Sequence, residues 1–186
     1  YYIPRLKFSS FSNKLYIQSL NRLQNTLTLS TYDLGSGKIK KIFSEKDETY
    51  VDVQEKLFLL DNENFFWISD RSGFNHIYLV QNDGKSLKQI TSGNWDVAKL
   101  LGVYESTVYY SSTEDNPIER VIYSISLNGK NKKAISPKNG FNGASFTSNY
   151  KYFIHTFEDS NTPLVYSLRE SKTGELVRRI MDNNEL

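Results

Sequence analysis

The chain has 186 residues, 38% of them hydrophobic and 14% aromatic, and it contains no cysteine. Its length suits one core or a row of small ones, and 13 Tyr with 11 Phe favour strands packed as sheets over helices. A net charge of +2 on a mixed surface gives no field of the kind that binds nucleic acid or an anionic membrane, and the missing cysteines exclude disulfides and thiolate chemistry.

In chain order, the first predicted strands are Ile3–Phe8, Lys14–Ser19 and Thr26–Tyr32. Leu27 and Leu29 alternate with Thr26, Thr28 and Ser30 at the period of two of a half-buried strand. A turn over Asp33–Gly37 leads to Lys38–Phe43, and Ser44–Thr49 reads as a charged connector. The second set is Leu57–Leu60, Phe65–Ser69 and His76–Val80, then the turn Asn82-Asp83-Gly84 and Leu87–Thr91. The third is Ala98–Val103, Val108–Ser111 and Val121–Leu127, then Asn128-Gly129 and Lys132–Ser136. The fourth is Ala144–Phe146, Tyr152–Thr156 and Leu164–Leu168, a turn at Gly174 and Leu176–Met181, after which Asp182–Leu186 reads as leaving the sheet. No segment has the periodicity of an amphipathic helix, and no apolar run approaches the ~18 residues of a membrane span. Tyr1-Tyr2-Ile3-Pro4-Arg5 is no signal peptide, and the start reads as the middle of a domain.

The turn glycines Gly37, Gly84, Gly129 and Gly174 are 47, 45 and 45 residues apart. Trp67, Tyr110 and Phe153 or Ile154 are expected at one place in the second strand of each set, and Tyr78, Tyr123 and Tyr166 at one place in the third. A strand-built period of this size marks propeller blades. The predicted fold is therefore an all-β propeller, a partial ring of about four blades of four antiparallel strands. The blades cover 1–46, 47–93, 94–137 and 138–186 of a single domain. Lys38-Ile39-Lys40-Lys41 and Lys130–Lys133 read as solvated outer edges, where Lys discourages strand pairing.

Catalytic motifs are not legible. There is no Gly-x-Ser-x-Gly turn, no Walker-type or Gly-x-Gly-x-x-Gly loop, and no metal-ligand spacing. The two histidines, His76 and His155, sit inside strand patterns and read as packing residues. Carboxylates that a glycosidase would pair are scattered, with Asp70, Asp96 and Glu119 on different blades. Four inter-strand loops are more particular. In Asn21-Arg22-Leu23-Gln24-Asn25, Arg22 can either brace neighbouring blades or line a tunnel and bind carbonyls or a carboxylate. In Asp70-Arg71-Ser72-Gly73, Asp70 and Ser72 can cap the turn, Gly73 can supply a positive φ, and Arg71 can reach a carboxylate or carbonyl. Asn116-Pro117-Ile118-Glu119-Arg120 and Ser160-Asn161-Thr162-Pro163 are the corresponding loops of the third and fourth blades. Trp95 is expected to anchor the approach to an inner strand by filling space between sheets.

These segments occur in an order that resembles the N-terminal propeller of the dipeptidyl peptidase IV family, over the whole chain. The matching stretches are Tyr2–Arg5, Leu20–Asn25, Ser69–Tyr78, Ile90–Val97, Asn116–Arg120 and Met181–Leu186. The resemblance implies a serine exopeptidase of the prolyl oligopeptidase clan, in which an eight-bladed propeller caps an α/β-hydrolase domain. Such enzymes release N-terminal dipeptides with Pro or Ala in second place, and need no cofactor or metal. The chain resembles the second half of that propeller, so its partners would be the first half, the hydrolase domain that carries the catalytic triad, and a peptide substrate. The family's substrate-contacting Phe-Arg pair has no counterpart in Tyr50-Val51-Asp52-Val53-Gln54, so no substrate-binding residue is assigned. The resemblance also implies the periplasm or envelope of a bacterium. Half a ring exposes two blade faces, from which self-association is expected. The alternative reading is a protein-binding propeller module without peptidase activity.

Overall fold

The computed structural model of the chain describes residues 1–183 and contains fifteen strands and, among the described residues, no helix. Each sheet is an antiparallel meander of consecutive strands. The first joins β1 (Tyr2–Phe8), β2 (Lys14–Leu20), β3 (Thr26–Asp33) and β4 (Ile39–Lys46), and the second joins β5 (Phe65–Ser69), β6 (His76–Val80) and β7 (Leu87–Gln89). The third joins β8 (Val97–Tyr104), β9 (Thr107–Ser112), β10 (Val121–Ser126) and β11 (Lys133–Ala134). The fourth joins β12 (Phe141–Phe146), β13 (Tyr152–Asp159), β14 (Thr162–Glu170) and β15 (Leu176–Met181). This is the blade pattern of a partial β-propeller. The stretch Asn184–Leu186, part of the segment expected to leave the sheet, lies outside the described residues.

Two compact units are present: Tyr1–Ser69 with Tyr78–Lys88, and Asp70–Ile77 with the chain from Gln89 on. In the first, Leu27 and Leu29 of β3 turn inward with no exposed surface, as their alternation predicts, and pack with Phe43, Phe65 and Trp67. The rings of Phe43 and Trp67 meet edge-on at 5.0 Å. In the second unit Tyr109, Ile122, Ile135 and Phe153 form a core against Phe146 and Tyr150. Burying each such ring contributes about 2–3 kcal/mol.

The turn glycines do more than turn. Gly37, Gly84, Gly129 and Gly174 all have φ between 68° and 80°, where a side chain is strained. A Cβ on Gly84 would lie 1.5 Å from the Ile42 carbonyl oxygen at a bulge in β4. One on Gly129 would lie 3.2 Å from the Ile90 carbonyl, and one on Gly174 2.7 Å from that of Ile135. Gly84, Gly129 and Gly174 thus each seat their blade on the outer edge of the blade before it.

Four local expectations shift. The outer strand β4 runs on to Lys46, paired with Thr26, into the expected connector. In the second blade the innermost strand is reduced to a single bridge, Leu59 to Phe65. Its approach, residues 51–56, is held by side chains that imitate a ladder. Gln18 grips both backbone groups of Gln54 (3.0 and 3.1 Å), and Gln54 grips both of Ile68 (2.9 Å each). In the fourth blade the expected loop tightens, so that Thr162 and Pro163 already belong to β14. Finally, both aromatic rulers slip there. Ser167, opposite His155, matches Tyr123, opposite Tyr110, because each lies three residues before the carbonyl that accepts the turn-glycine N–H. Tyr166 sits one residue off that register and faces the other side of the sheet.

Candidate functional site

Several of the predicted loop residues share one structural role, and Arg22 and Arg120 depart from it most clearly. Asn21 caps its own loop: its Oδ1 accepts the N–H groups of Asn25 and Thr26 (3.0 Å each), and its Nδ2 donates to Asn25 Oδ1 at 2.8 Å. The loop so shaped accepts from the next segment, Val51 N–H on the Gln24 carbonyl and Asp47 N–H on the Asn25 carbonyl. Asn75 does the same for the third blade. Its carbonyl accepts the Val97 N–H and its N–H donates to Asp96 Oδ1, both at 2.7 Å. Glu119 and Arg120 do it for the fourth. Glu119 Oε1 accepts the Gly140 N–H, and the Arg120 backbone forms a parallel bridge to Phe141. In each case the loop before a blade's third strand fastens the start of the following blade.

Arg22 is the first exception. It is exposed and, among the described residues, makes no hydrogen bond or ion pair. Asp70 is exposed too; its carbonyl accepts the Gly73 N–H at 2.7 Å, and Gly73 has φ 99° with open space where a Cβ would be. Arg71 beside it is exposed. Arg120 is the second exception, because besides its bridge it presents a charged group. Its Nη1 donates to the Pro117 and Glu119 carbonyls (3.0 and 2.7 Å), which holds the guanidinium over the Phe141 ring at 5.7 Å.

Trp95 stacks on Tyr110 (6.2 Å, 6°) and meets His76 edge-on at 5.0 Å, with the Lys132 ammonium 5.5 Å from its ring. Its indole occupies the space beside Gly93, where a Cβ would lie 2.1 Å from Nε1. His76 donates from Nε2 to the Gly93 carbonyl, an acceptor only, at 2.9 Å, and its Nδ1 meets the Thr91 hydroxyl at 3.1 Å.

At His155, too, sequence reasoning missed a built polar network. It is buried, with Nδ1 3.2 Å from both Ser167 Oγ and Arg169 Nε, and Nε2 2.7 Å from Asn142 Oδ1. Arg169 Nε is a donor only, so Nδ1 is the acceptor and Nε2 carries the proton. Asn142 closes the network by donating to the Arg120, Pro137 and Asn139 carbonyls. Burial first, and then the Arg169 charge, push the imidazole down to about 4. Ser167 and His155 have the spacing of a nucleophile and base, yet taking the serine proton would place a second cation against Arg169, so the pair is a poor catalyst at neutral pH. The signal for it was available: a His, an Asn, a Ser and an Arg on four inward positions of one sheet.

Among the described residues no three His, Asp or Glu side chains converge as metal ligands, and no helix is long and apolar enough to cross a membrane. What the geometry defines is a set of propeller blades whose loops serve mainly to join one blade to the next. The family model for the dipeptidyl peptidase IV N-terminal region matches residues 1–164, and the chain belongs to that family. The crystal structure of Porphyromonas gingivalis dipeptidyl peptidase 4 superposes with a TM-score of 0.93 at 39% identity, over 98% of this chain and 26% of that one. Dipeptidyl peptidase 4 of Arthroderma otae is 28% identical over 96% of this chain and 24% of its own length. The mouse protein named inactive dipeptidyl peptidase 10 is 30% identical over 89% of this chain and 23% of its own. The chain thus spans about a quarter of the length of these relatives.

Proposed function

We propose that the chain is the second half of the propeller of a serine dipeptidyl peptidase, and that it gates and orients peptide substrates for a downstream α/β-hydrolase domain. Its partners are then the first half of the propeller, the hydrolase domain and the peptide. The observation that carries this is the likeness to the Porphyromonas gingivalis enzyme over nearly the whole chain at 39% identity. The four repeats act as one partial propeller domain whose blades restrict access and position the substrate backbone. The parent is a bacterial envelope or periplasmic protein, in keeping with the higher identity to a bacterial relative than to the fungal and mouse ones. Extending the chain along its gene is expected to reveal a Gly-x-Ser-x-Gly serine with a later Asp and His. The extended protein should release p-nitroaniline from Xaa-Pro and Xaa-Ala p-nitroanilides and lose that activity when the serine becomes alanine. A further repeat array in place of the hydrolase domain would overturn the reading.

A second reading is a binding module whose parent is not a working peptidase. The relative named inactive dipeptidyl peptidase 10 favours it. A hydrolase domain that lacks the serine, with no p-nitroanilide turnover, distinguishes the two.

A further inference from the structure

Within the second unit the inner strands β8 and β12 flank a groove of about 620 Å3. They are unlike each other. Strand β8 is bulged twice against β9, at Ala98 and at Leu101, and such kinks blunt an edge against further pairing. Strand β12 pairs with β13 through six consecutive residues without a shift, and among the described residues its other edge carries only the single bridge of Phe141 to Arg120. The Asn142 N–H points along that other edge, onto the Arg120 carbonyl at 3.0 Å. By strand alternation the backbone groups of Ala144 point the same way. Ala98, Gly143 and Ala144 are small, so the edge is open to a main chain, and both Lys99 and Arg120 line the groove without any carboxylate among the lining residues. Phe141, half exposed beneath Arg120, Ile154 and the out-of-register Tyr166 supply apolar surface. The corresponding groove of the first unit, beside β1, is smaller at about 230 Å3 and has its Arg5 paired with Glu55 at 3.2 Å.

We propose that the free edge of β12 takes up an extended peptide as an added strand and that Lys99 and Arg120 hold a carboxylate of that peptide. Main-chain bonds to the edge give affinity, the cations choose the ligand, and the pre-fixed Arg120 lowers the cost of ordering. The proposal rests on the peptide-handling reading for its ligand class and on this groove alone for its location. The test is fluorescence anisotropy of this chain with three labelled peptides. These are Ala-Val-Ala-Val-Ala with a free C-terminal carboxylate, its amide, and the amide of Ala-Val-Glu-Val-Ala. At least one carboxylate peptide is expected to bind about tenfold more tightly than the neutral amide, and which one does so tells a terminal from a side-chain carboxylate. Lys99→Gln should remove most of that difference and Lys99→Arg should keep it. Ala144→Pro removes only an N–H that points away from β13, so binding should be lost while the thermal unfolding curve is kept. Should that variant not fold, the carboxylate peptide N-methylated at alternate amides takes its place and should not bind. Equal binding of acid and amide peptides, binding that survives Ala144→Pro or N-methylation, or no binding at all overturns the proposal. Hydrolysis of dipeptide p-nitroanilides by the longer protein reports on the peptidase reading separately, so either can fail without the other.

Discussion

Protonating His155 would place a second positive charge beside Arg169 at a buried position, and it would turn Nδ1 into a donor, which ends the Arg169 contact and leaves only Ser167 Oγ as a partner there. The imidazole titrates near 4 in the folded chain and near 6.5 when unfolded, so the unfolded chain binds the proton first. The folded pKa is the lower one. The stability that comes from keeping His155 neutral is therefore complete above about pH 6.5 and is lost as pH falls toward 4. Between pH 7.5 and 5 the loss is about 2 kcal/mol, before most carboxylates begin to titrate. Urea unfolding at the two pH values should show it, and His155→Gln should flatten the difference. Equal losses in both proteins would mean that another group carries the effect. The carboxylates held low by hydrogen bonds, such as Asp115 under the Tyr123 hydroxyl and Glu63 under Lys14 and Ser12, act only at lower pH.

Blades were legible in the sequence because a turn glycine and a period-two strand are local signals. Gly37, Gly84, Gly129 and Gly174 are where the spacing placed them, each in the left-handed region. What the spacing could not show is what each turn touches, since that depends on a neighbour some forty residues away. The same limit explains the slipped rulers. The turn of the fourth blade closes with the Gly174 N–H on the Glu170 carbonyl, four residues back, where Gly129 reaches back three, and one residue is enough to exchange the faces of Tyr166 and Ser167. It also explains why the family-motif loops were visible, and bracing conceivable for one of them, while the residues that do the bracing were not, and why Gln18 and Gln54, dull in the sequence, hold the start of the second blade. Alanine at the four glycines separates the local from the non-local part. All four should lose about 1 kcal/mol for the left-handed conformation. Gly37, with only the Tyr32 hydroxyl at 3.7 Å from the new methyl, should lose no more than that. Gly129 should lose somewhat more, then Gly174, and Gly84 the most, about 3 kcal/mol or above, because its methyl would overlap the Ile42 carbonyl. Denaturant midpoints in that order support the seating of each turn on the preceding blade; four equal losses would reduce the glycines to turn formers.

At the scale of the whole molecule, that seating has two ends without a partner among the described residues. Ile42 and Ile180 occupy the same register, each the residue left over at a bulge in the outer strand of its sheet. Ile42 is 9% exposed beneath the Gly84 turn, whereas Ile180 is 54% exposed. Around Ile180 lie Leu176, Val177 and Met181, and at the other end of the chain Ile3, Leu6, Phe8 and Ile39 are exposed as well. Apolar residues gathered at an outer strand and at a first blade are what one blade offers another, so a second copy is expected to bind there in water. The two surfaces differ, so such a contact would be head-to-tail and would either close on itself or grow. Light scattering on a sizing column at micromolar concentration should therefore find a mass above that of one chain. Ile180→Lys and Ile39→Lys, both at exposed positions, should each return the monomer without lowering the stability by more than about 0.5 kcal/mol. Wild-type chain that runs as a monomer throughout would show that both faces tolerate water. If the lysine variants leave the larger species intact, association proceeds through another surface, and the free edge of β12 becomes the next one to block.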